Sequence, residues 1–449
     1  MTDVSSNAPK ASPNPEDTDK YPSAIYAWYT VLLLLVVYTF SFIDRQIVGL
    51  LAGELIREFQ LTNTQFGLLG GLSFAIFYTT FGLICARIAD TSSRTRLIAI
   101  GLALWSLMTA LSGFARSYMM LFLCRMGVGV GEATLAPGAN SLLADSFPKN
   151  KLATALSVYS MGIPVGSALA FIVGGLVIGF ADQLPISVFG EELKAWQKSF
   201  LIVGLPGLLL TVFVLALKEP TRKDVKKAGE AMPVSEVWAQ FMGNFRAYAS
   251  IIIGVSFVAF IGFGSLLWLP RFFELYHGVS PRDFGATFGV IAMISGSLGL
   301  LLGGMLADRW LNRGIFDAHI RALLISPLGF IIPGVIFPFA TDLTLVWSLV
   351  FLTNMFLNLP TGIAFAGLQI ISPNECRGQM VAGYVLMTNI IGYTLGPFVV
   401  GQVADLMGGG DGVRMGLLVL GVIGTPMAIF FLLWGRKPFR ESVERALKG

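Results

Sequence analysis

Along this chain, apolar runs of about 20 residues or more alternate with short polar breaks. They lie near residues 26–52, 65–88, 97–115, 118–143, 152–180, 200–217, 247–270, 284–307, 320–340, 343–371, 379–404 and 413–434. A helix of about 20 apolar residues crosses a hydrocarbon core about 30 Å thick, so the pattern predicts twelve membrane spans. The longest polar break runs from Lys218 to Arg246, holds Lys218, Arg222, Lys223, Lys226 and Lys227, and divides the spans six and six. The expected fold class is an all-α polytopic membrane protein of two six-helix bundles, residues 26–217 and 247–434. A basic linker, 218–246, joins them, and a basic tail, 435–449, follows.

Residues 1–25 are rich in Pro, Ser and Asp and lack the basic-then-apolar order of a signal peptide, so a disordered tail is expected there. Loop charge sets the orientation. One side collects Arg94, Arg96, Lys149, Lys151, the linker cluster, Arg309, Arg313, Arg321, Arg377 and the tail residues Arg436, Lys437, Arg440, Arg445 and Lys448. The other side holds far fewer cations, so the positive-inside rule predicts that both termini are cytoplasmic.

Composition agrees with lipid as the solvent. Hydrophobic residues make up 55% of the chain and charged residues only 13%, against about a quarter charged in soluble domains. The net charge of +4 is explained by loop cations facing an anionic leaflet, so no nucleic-acid partner is expected. Cys85, Cys124 and Cys376 show no CxxC spacing, which points to neither disulfides nor a zinc site. No nucleophile with a base and no metal cluster is evident, so an enzyme acting on lipids is not expected, nor is a cofactor or a metal.

Charges inside spans are costly and call for a reason. Span 1 carries Asp44 and Arg45, and span 4 carries Arg125 and Glu132. Arg125 and Glu132 are seven residues apart, which places them on one helix face about 10 Å apart in height. Because spans 1 and 4 run in opposite directions, Asp44 and Arg125 come to similar depth, about 7 Å to the outer side of their span centres, with Glu132 further in. Asp44 and Arg125 are therefore expected to pair. Burial raises a carboxyl's pKa and a nearby arginine lowers it, so these residues form a candidate proton-coupling set. His277 and His319 fall at span ends, which removes a buried imidazole relay.

The second half has no charge deep within spans 7, 8, 10 or 11. Its polar content there is Asn354, Asn358, Gln369, Thr388, Asn389, Tyr393 and Gln402, among many Phe, Met, Leu and Ile. A cavity charged on one wall and apolar on the other fits an amphiphile whose head meets Arg45 and Arg125, arginine being well shaped for phosphate.

The halves also repeat a motif. Arg87-Ile-Ala-Asp90 with Arg94 and Arg96 follows span 2, and Gly304-Met-Leu-Ala-Asp308-Arg309 follows span 8. An acidic helix end beside basic residues can form a latch that holds one conformation closed, so Asp90, Arg94, Arg96, Asp308 and Arg309 are candidate gating residues. The repeat resembles the cytoplasmic signature of the major facilitator superfamily, with Ala86 replacing the expected first-half Gly and Thr95 separating Arg94 from Arg96. Phe42-Ile-Asp44-Arg45, the run from Arg125 to Glu132, Pro137 and Ala144-Asp145-x-Phe147-Pro148 resemble its Spinster branch.

That resemblance implies a proton-linked transporter of a lysophospholipid or related single-chain lipid. It implies that Asp44 and Glu132 handle protons, that Arg125 switches between them, and that Arg45 supports the headgroup. A monomer in a bacterial inner membrane is the expected setting, with membrane lipids, protons and a lipid-like substrate as partners. Two alternatives stay open, a proton/drug antiporter for amphipathic compounds and a proton-coupled organic anion symporter.

Overall fold

In a computed structural model, the structure describes residues 21–181, 183–188, 190–222, 233–373, 376–408 and 410–448. Most of the expected disordered tail, and Lys223, Lys226 and Lys227 of the linker, lie outside these residues. Among the described residues, twelve helices are long and apolar enough to cross a membrane. Spans 1–6 are Ala24–Leu50, Asn63–Thr91, Arg94–Ser112, Tyr118–Ser146, Thr154–Ala181 and Ala195–Leu215. Spans 7–12 are Phe245–His277, Pro281–Leu311, Ala318–Ile336, Leu343–Ile371, Arg377–Met407 and Gly412–Leu447.

Polar side chains set where spans begin. Ser23, Ser117, Ser280 and Asp342 each accept a backbone N–H in the first turn of their helix, and Thr62 forms a capping box with Gln65. Gly278, at φ 64°, closes span 7 in a left-handed turn that a Cβ would disfavour. Large apolar side chains such as Ile100, Leu209, Met305 and Ile332 remain on the outside of the bundle. That is the arrangement required when the surroundings are lipid.

Three features differ from the sequence expectation. Part of the linker is helical, Val234–Gly243, because Val234, Val237, Trp238, Phe241 and Met242 recur at helical spacing. The tail after residue 434 continues the helix of span 12, which runs unbroken to Lys448. Between spans 5 and 6 the chain forms a two-residue strand pair, Ser187–Val188 with Glu191–Glu192.

The two halves touch along the ends of the spans that lie away from the termini. Span 5 packs on span 8, where Gly175 meets the carbonyls of Pro281 and Arg282 and Gly289 meets that of Ala168. Span 2 packs on span 11, where Gly67 faces the Pro397 carbonyl and Gly71 that of Tyr393. Small residues allow these backbones to approach, the usual means of helix association in lipid. Rings of Phe171, Phe284 and Phe288 fill the first seam, and Phe66 against Trp268 lies across the halves near the second. Toward the termini, among the described residues, a Cβ on Gly82, Gly304, Gly378 or Gly383 would meet no neighbouring element within 4 Å. The halves are closed at one end and apart at the other.

Candidate functional site

Helix periodicity delivers the four intramembrane charges to one place. On span 1, Ser41 and Arg45 are four residues apart and share a stripe, while Asp44 is turned about 100° from Arg45. Opposite them, span 4 is α-helical over Tyr118–Glu132 and again over Leu135–Ser146. Pro137 lacks the N–H that would reach the Ala133 carbonyl, so the ladder is interrupted directly after Glu132. Gly129 admits the Phe74 carbonyl of span 2, and Gly131 admits Gly101 and Trp105 of span 3. Close cover by these neighbours buries Arg125 and Glu132.

Two ion pairs result. Arg125 Nη1 lies 3.1 Å from Asp44 Oδ1, and Thr109 Oγ1 of span 3 donates to Asp44 Oδ2. Arg45 Nε donates to Glu132 Oε2 at 2.6 Å, and Ser41 Oγ donates to the same oxygen at 2.7 Å. The expected depth relation holds, with Asp44 meeting Arg125 and Glu132 one step nearer the termini, at the level of Ser41. The pairing differs from a single arginine shared by two carboxylates, since each carboxylate has its own arginine. Both oxygens of Asp44 are bonded, whereas Oε1 of Glu132 is buried with no donor among the described residues.

Arg45 is enclosed by aromatic rings. Its guanidinium carbon is 5.2 Å from the Phe42 ring centre, 4.7 Å from that of Phe74 and 4.8 Å from that of Tyr78. Such stacking favours a cation over a ring face. Its Nε is the atom bonded to Glu132; among the described residues its two Nη nitrogens have no hydrogen-bond acceptor. Tyr38 extends the aromatic wall, stacked on Tyr159 at 5.1 Å. From the second half, Tyr393 reaches Phe74 at 5.5 Å and Phe263 at 4.7 Å, which brings it beside this group. A π-helical stretch, Thr388–Leu395, carries it, and Asn389 on the same stretch donates to Thr79 of span 2 at 2.8 Å.

The other second-half candidates stand apart. Asn354 donates to Ser295 at 2.7 Å, Asn358 to the Asn354 carbonyl at 2.8 Å, and Thr388 lies 3.3 Å from Ser256. Gln369 is exposed near the end of span 10, where its carbonyl accepts from Arg377. The structure thus brings Tyr393 beside the charged group, places Asn389 against Thr79 of span 2 and leaves Gln369 at the rim.

The gating candidates are arranged differently from a simple Asp90–Arg latch. Arg94 is buried at the start of span 3 and pairs with Asp145 at the end of span 4 and with Glu219 after span 6, at 2.6 Å. Asp90 supplies its main-chain carbonyl to Arg222. Arg96, Asp308 and Arg309 are exposed, and among the described residues none of Asp90, Arg96, Asp308 and Arg309 forms an ion pair. A physical reason is at hand, because the halves are apart at this end, where latches between them would be open. Burial pushes the Glu219 carboxyl up, but hydrogen bonds from Thr95 and Arg94 outweigh it and hold the group down to about 2. The second half has a counterpart of reversed sign, in which Asp317 before span 9 accepts from Arg436 at 2.6 Å and Arg321 at 2.8 Å. Ser41, Thr109 and Glu219 carried no sequence signal beyond being small hydroxyls or a loop acid. Asp145 fell within the family-like motif but had no assigned role.

Among the described residues no cluster of His, Cys, Asp and Glu could hold a metal ion. A family model described as Major Facilitator Superfamily matches residues 34–390. This chain is a member of the Major Facilitator Superfamily. It is 26% identical over 455 residues to an MFS-type efflux pump of Mycolicibacterium smegmatis, an alignment taking in 98% of this chain and 100% of that one. It is 25% identical to protein spinster of Drosophila melanogaster over 84% of this chain and 62% of the fly protein. A solved bacterial homologue of the human lysosomal transporter Spinster, inward-facing and unoccupied, superposes with a TM-score of 0.84 at 26% identity, covering 94% of this chain and 99% of that one. Within the superfamily the chain is Spinster-like and is a transporter, not an enzyme.

Proposed function

We propose that this chain is a proton-coupled secondary transporter of an anionic amphiphile, a lysophospholipid or related single-chain lipid, working by alternating access. The observation that carries this reading is the Arg45 guanidinium, which commits Nε to Glu132 and leaves its Nη fork without an acceptor among the described residues. A planar fork of this kind matches a phosphate or carboxylate head. Glu132 and the substrate head then compete for one cation. A proton arriving at Oε1 neutralises Glu132, weakens its hold on Arg45 and favours the anion there. Loss of that proton restores the ion pair and expels the head. Asp44, with both oxygens bonded and Arg125 beside it, is the second proton-handling carboxylate in this scheme.

The apolar second half supports a tail wall, with Asn389 and Tyr393 as the polar contacts nearest the head and Asn354, Asn358 and Thr388 further along it. The likeness to an inward-facing Spinster homologue supports assigning the open end, where the termini lie, to the cytoplasm. A bacterial inner-membrane monomer fits the basic loops at that end. Likeness to a mycobacterial efflux pump keeps a proton/drug antiporter in view, and arginines would serve an organic anion symporter equally well. The deciding experiment is uptake into proteoliposomes of lysolipids of graded acyl length, cationic drugs and small organic anions under an imposed pH gradient. Uptake that rises with acyl length supports the lipid. Uptake of short anions alone, or of cations alone, replaces it.

A further inference from the structure

The closed end of the molecule holds a polar contact between the halves that the coupling site does not use. Asp405, on the last turns of span 11, faces the start of span 2. Its Oδ1 accepts from the Asn63 backbone N–H at 2.8 Å and from Asn63 Nδ2 at 2.9 Å. Its Oδ2 accepts from the Thr64 backbone N–H at 2.8 Å and from Thr64 Oγ1 at 2.6 Å. One carboxylate therefore takes four donors from the other half, two of them first-turn amides of span 2 that have no partner within their own helix. The negative charge also meets the positive end of the helix dipole.

Backbone approach makes this geometry available. A Cβ on Gly401 would strike the Asn63 backbone, and one on Gly67 would lie 2.5 Å from the Pro397 carbonyl. Another charged contact between the halves at this end, Arg57 with Glu274 at 3.2 Å, is largely exposed on the arginine side. Exposed pairs of that kind hold little. The seam between spans 5 and 8 is lined by small residues and phenyl rings, with the Arg282 side chain against Gly179.

We propose that Asp405 is the gate residue of this end: its carboxylate locks span 11 to the start of span 2 while the termini-side cavity is open, and it must release Asn63 and Thr64 for the opposite state to form. All four bonds cross between the halves, so they exist in one state and are exchanged for water in the other. An interaction made in only one state shifts the balance by its differential strength.

The test uses spin labels at Arg116 and Asp411, exposed positions at this end in the first and second halves. Distances are measured in the full-length protein with Asp405 intact and in Asp405→Asn, Asp405→Glu and Thr64→Val backgrounds. Asp405→Asn turns an amide toward the donors of either Asn63 or Thr64, so the population open at this end should rise about tenfold, as expected for losing charge-assisted hydrogen bonds. Thr64→Val should give a smaller shift in the same direction, and Asp405→Glu should recover part of the closed population. Cysteines at positions 64 and 405, in a background without Cys85, Cys124 and Cys376, should stop turnover when oxidised and release it when reduced. Unchanged distance distributions in both Asp405→Asn and Thr64→Val would overturn the proposal, as would full turnover of the oxidised pair.

Discussion

Arg45 and Ser41 both donate to one oxygen of Glu132, at 2.6 and 2.7 Å, and leave its other oxygen without a donor among the described residues. Asp44 is treated oppositely, with Arg125 on one oxygen and Thr109 on the other. Two buried carboxylates in one cluster thus differ in how much of each is already claimed, and that difference separates their expected behaviour.

Glu132→Gln removes the acceptor of the Arg45 ion pair while keeping size and shape. Proton-driven uptake should lose its pH dependence, and substrate binding should persist, because Arg45 is then free to hold an anion at any pH. Uptake against pH in proteoliposomes, beside binding in detergent, checks both halves of this statement.

Thr109→Val deletes one hydroxyl and leaves Asp44 Oδ2 buried without its donor. A loss of about 1–3 kcal/mol in stability is expected, read as a lower melting temperature. Ser41→Ala should cost less, since Arg45 still serves the oxygen that Ser41 shares.

Arg45→Lys keeps the charge and removes the fork. Anion affinity should fall by about tenfold or more, the cost of replacing bidentate recognition by a point charge. Titration with lysolipids of one acyl length and different heads measures it, and an unchanged affinity would remove Arg45 from the headgroup site.

The bundle-end cluster of Arg94, Asp145 and Glu219 should behave as structure and not as a pH sensor. Because the Glu219 carboxyl is held down to about 2, its contribution is complete above the unfolded value near 4.5 and disappears as pH falls from there through about 2. Within the range where transport responds to pH, Glu219→Gln should leave the profile unmoved. Arg94→Ala should destabilise by about 3 kcal/mol, because it removes a buried guanidinium that bridges Asp145 and Glu219.

Twelve spans, the six-and-six division and the four intramembrane charges were legible because they are local or strictly periodic. Hydrophobic length fixes a span, and a seven-residue spacing fixes a helix face. The partner of each charge was only half legible. Depth along the spans pairs Asp44 with Arg125, but the sequence assigns Arg45 to the headgroup alone, because it does not reveal that the Ser41–Arg45 stripe faces Glu132. Gln369 looked equivalent to Asn389 in composition, and only the packing of span 10 shows it at the rim. Asp405 was invisible for a similar reason, since an acid near a span end ordinarily reads as a loop charge until the other half is placed against it.

Glu132 and an anionic head compete for Arg45 in the proposed mechanism. Its most direct measurement is the pH dependence of lysophospholipid binding to the wild-type protein and to Glu132→Gln. Wild-type affinity should strengthen as pH falls, and the variant's should be high and flat with pH. A variant that keeps the wild-type pH dependence would contradict this mechanism.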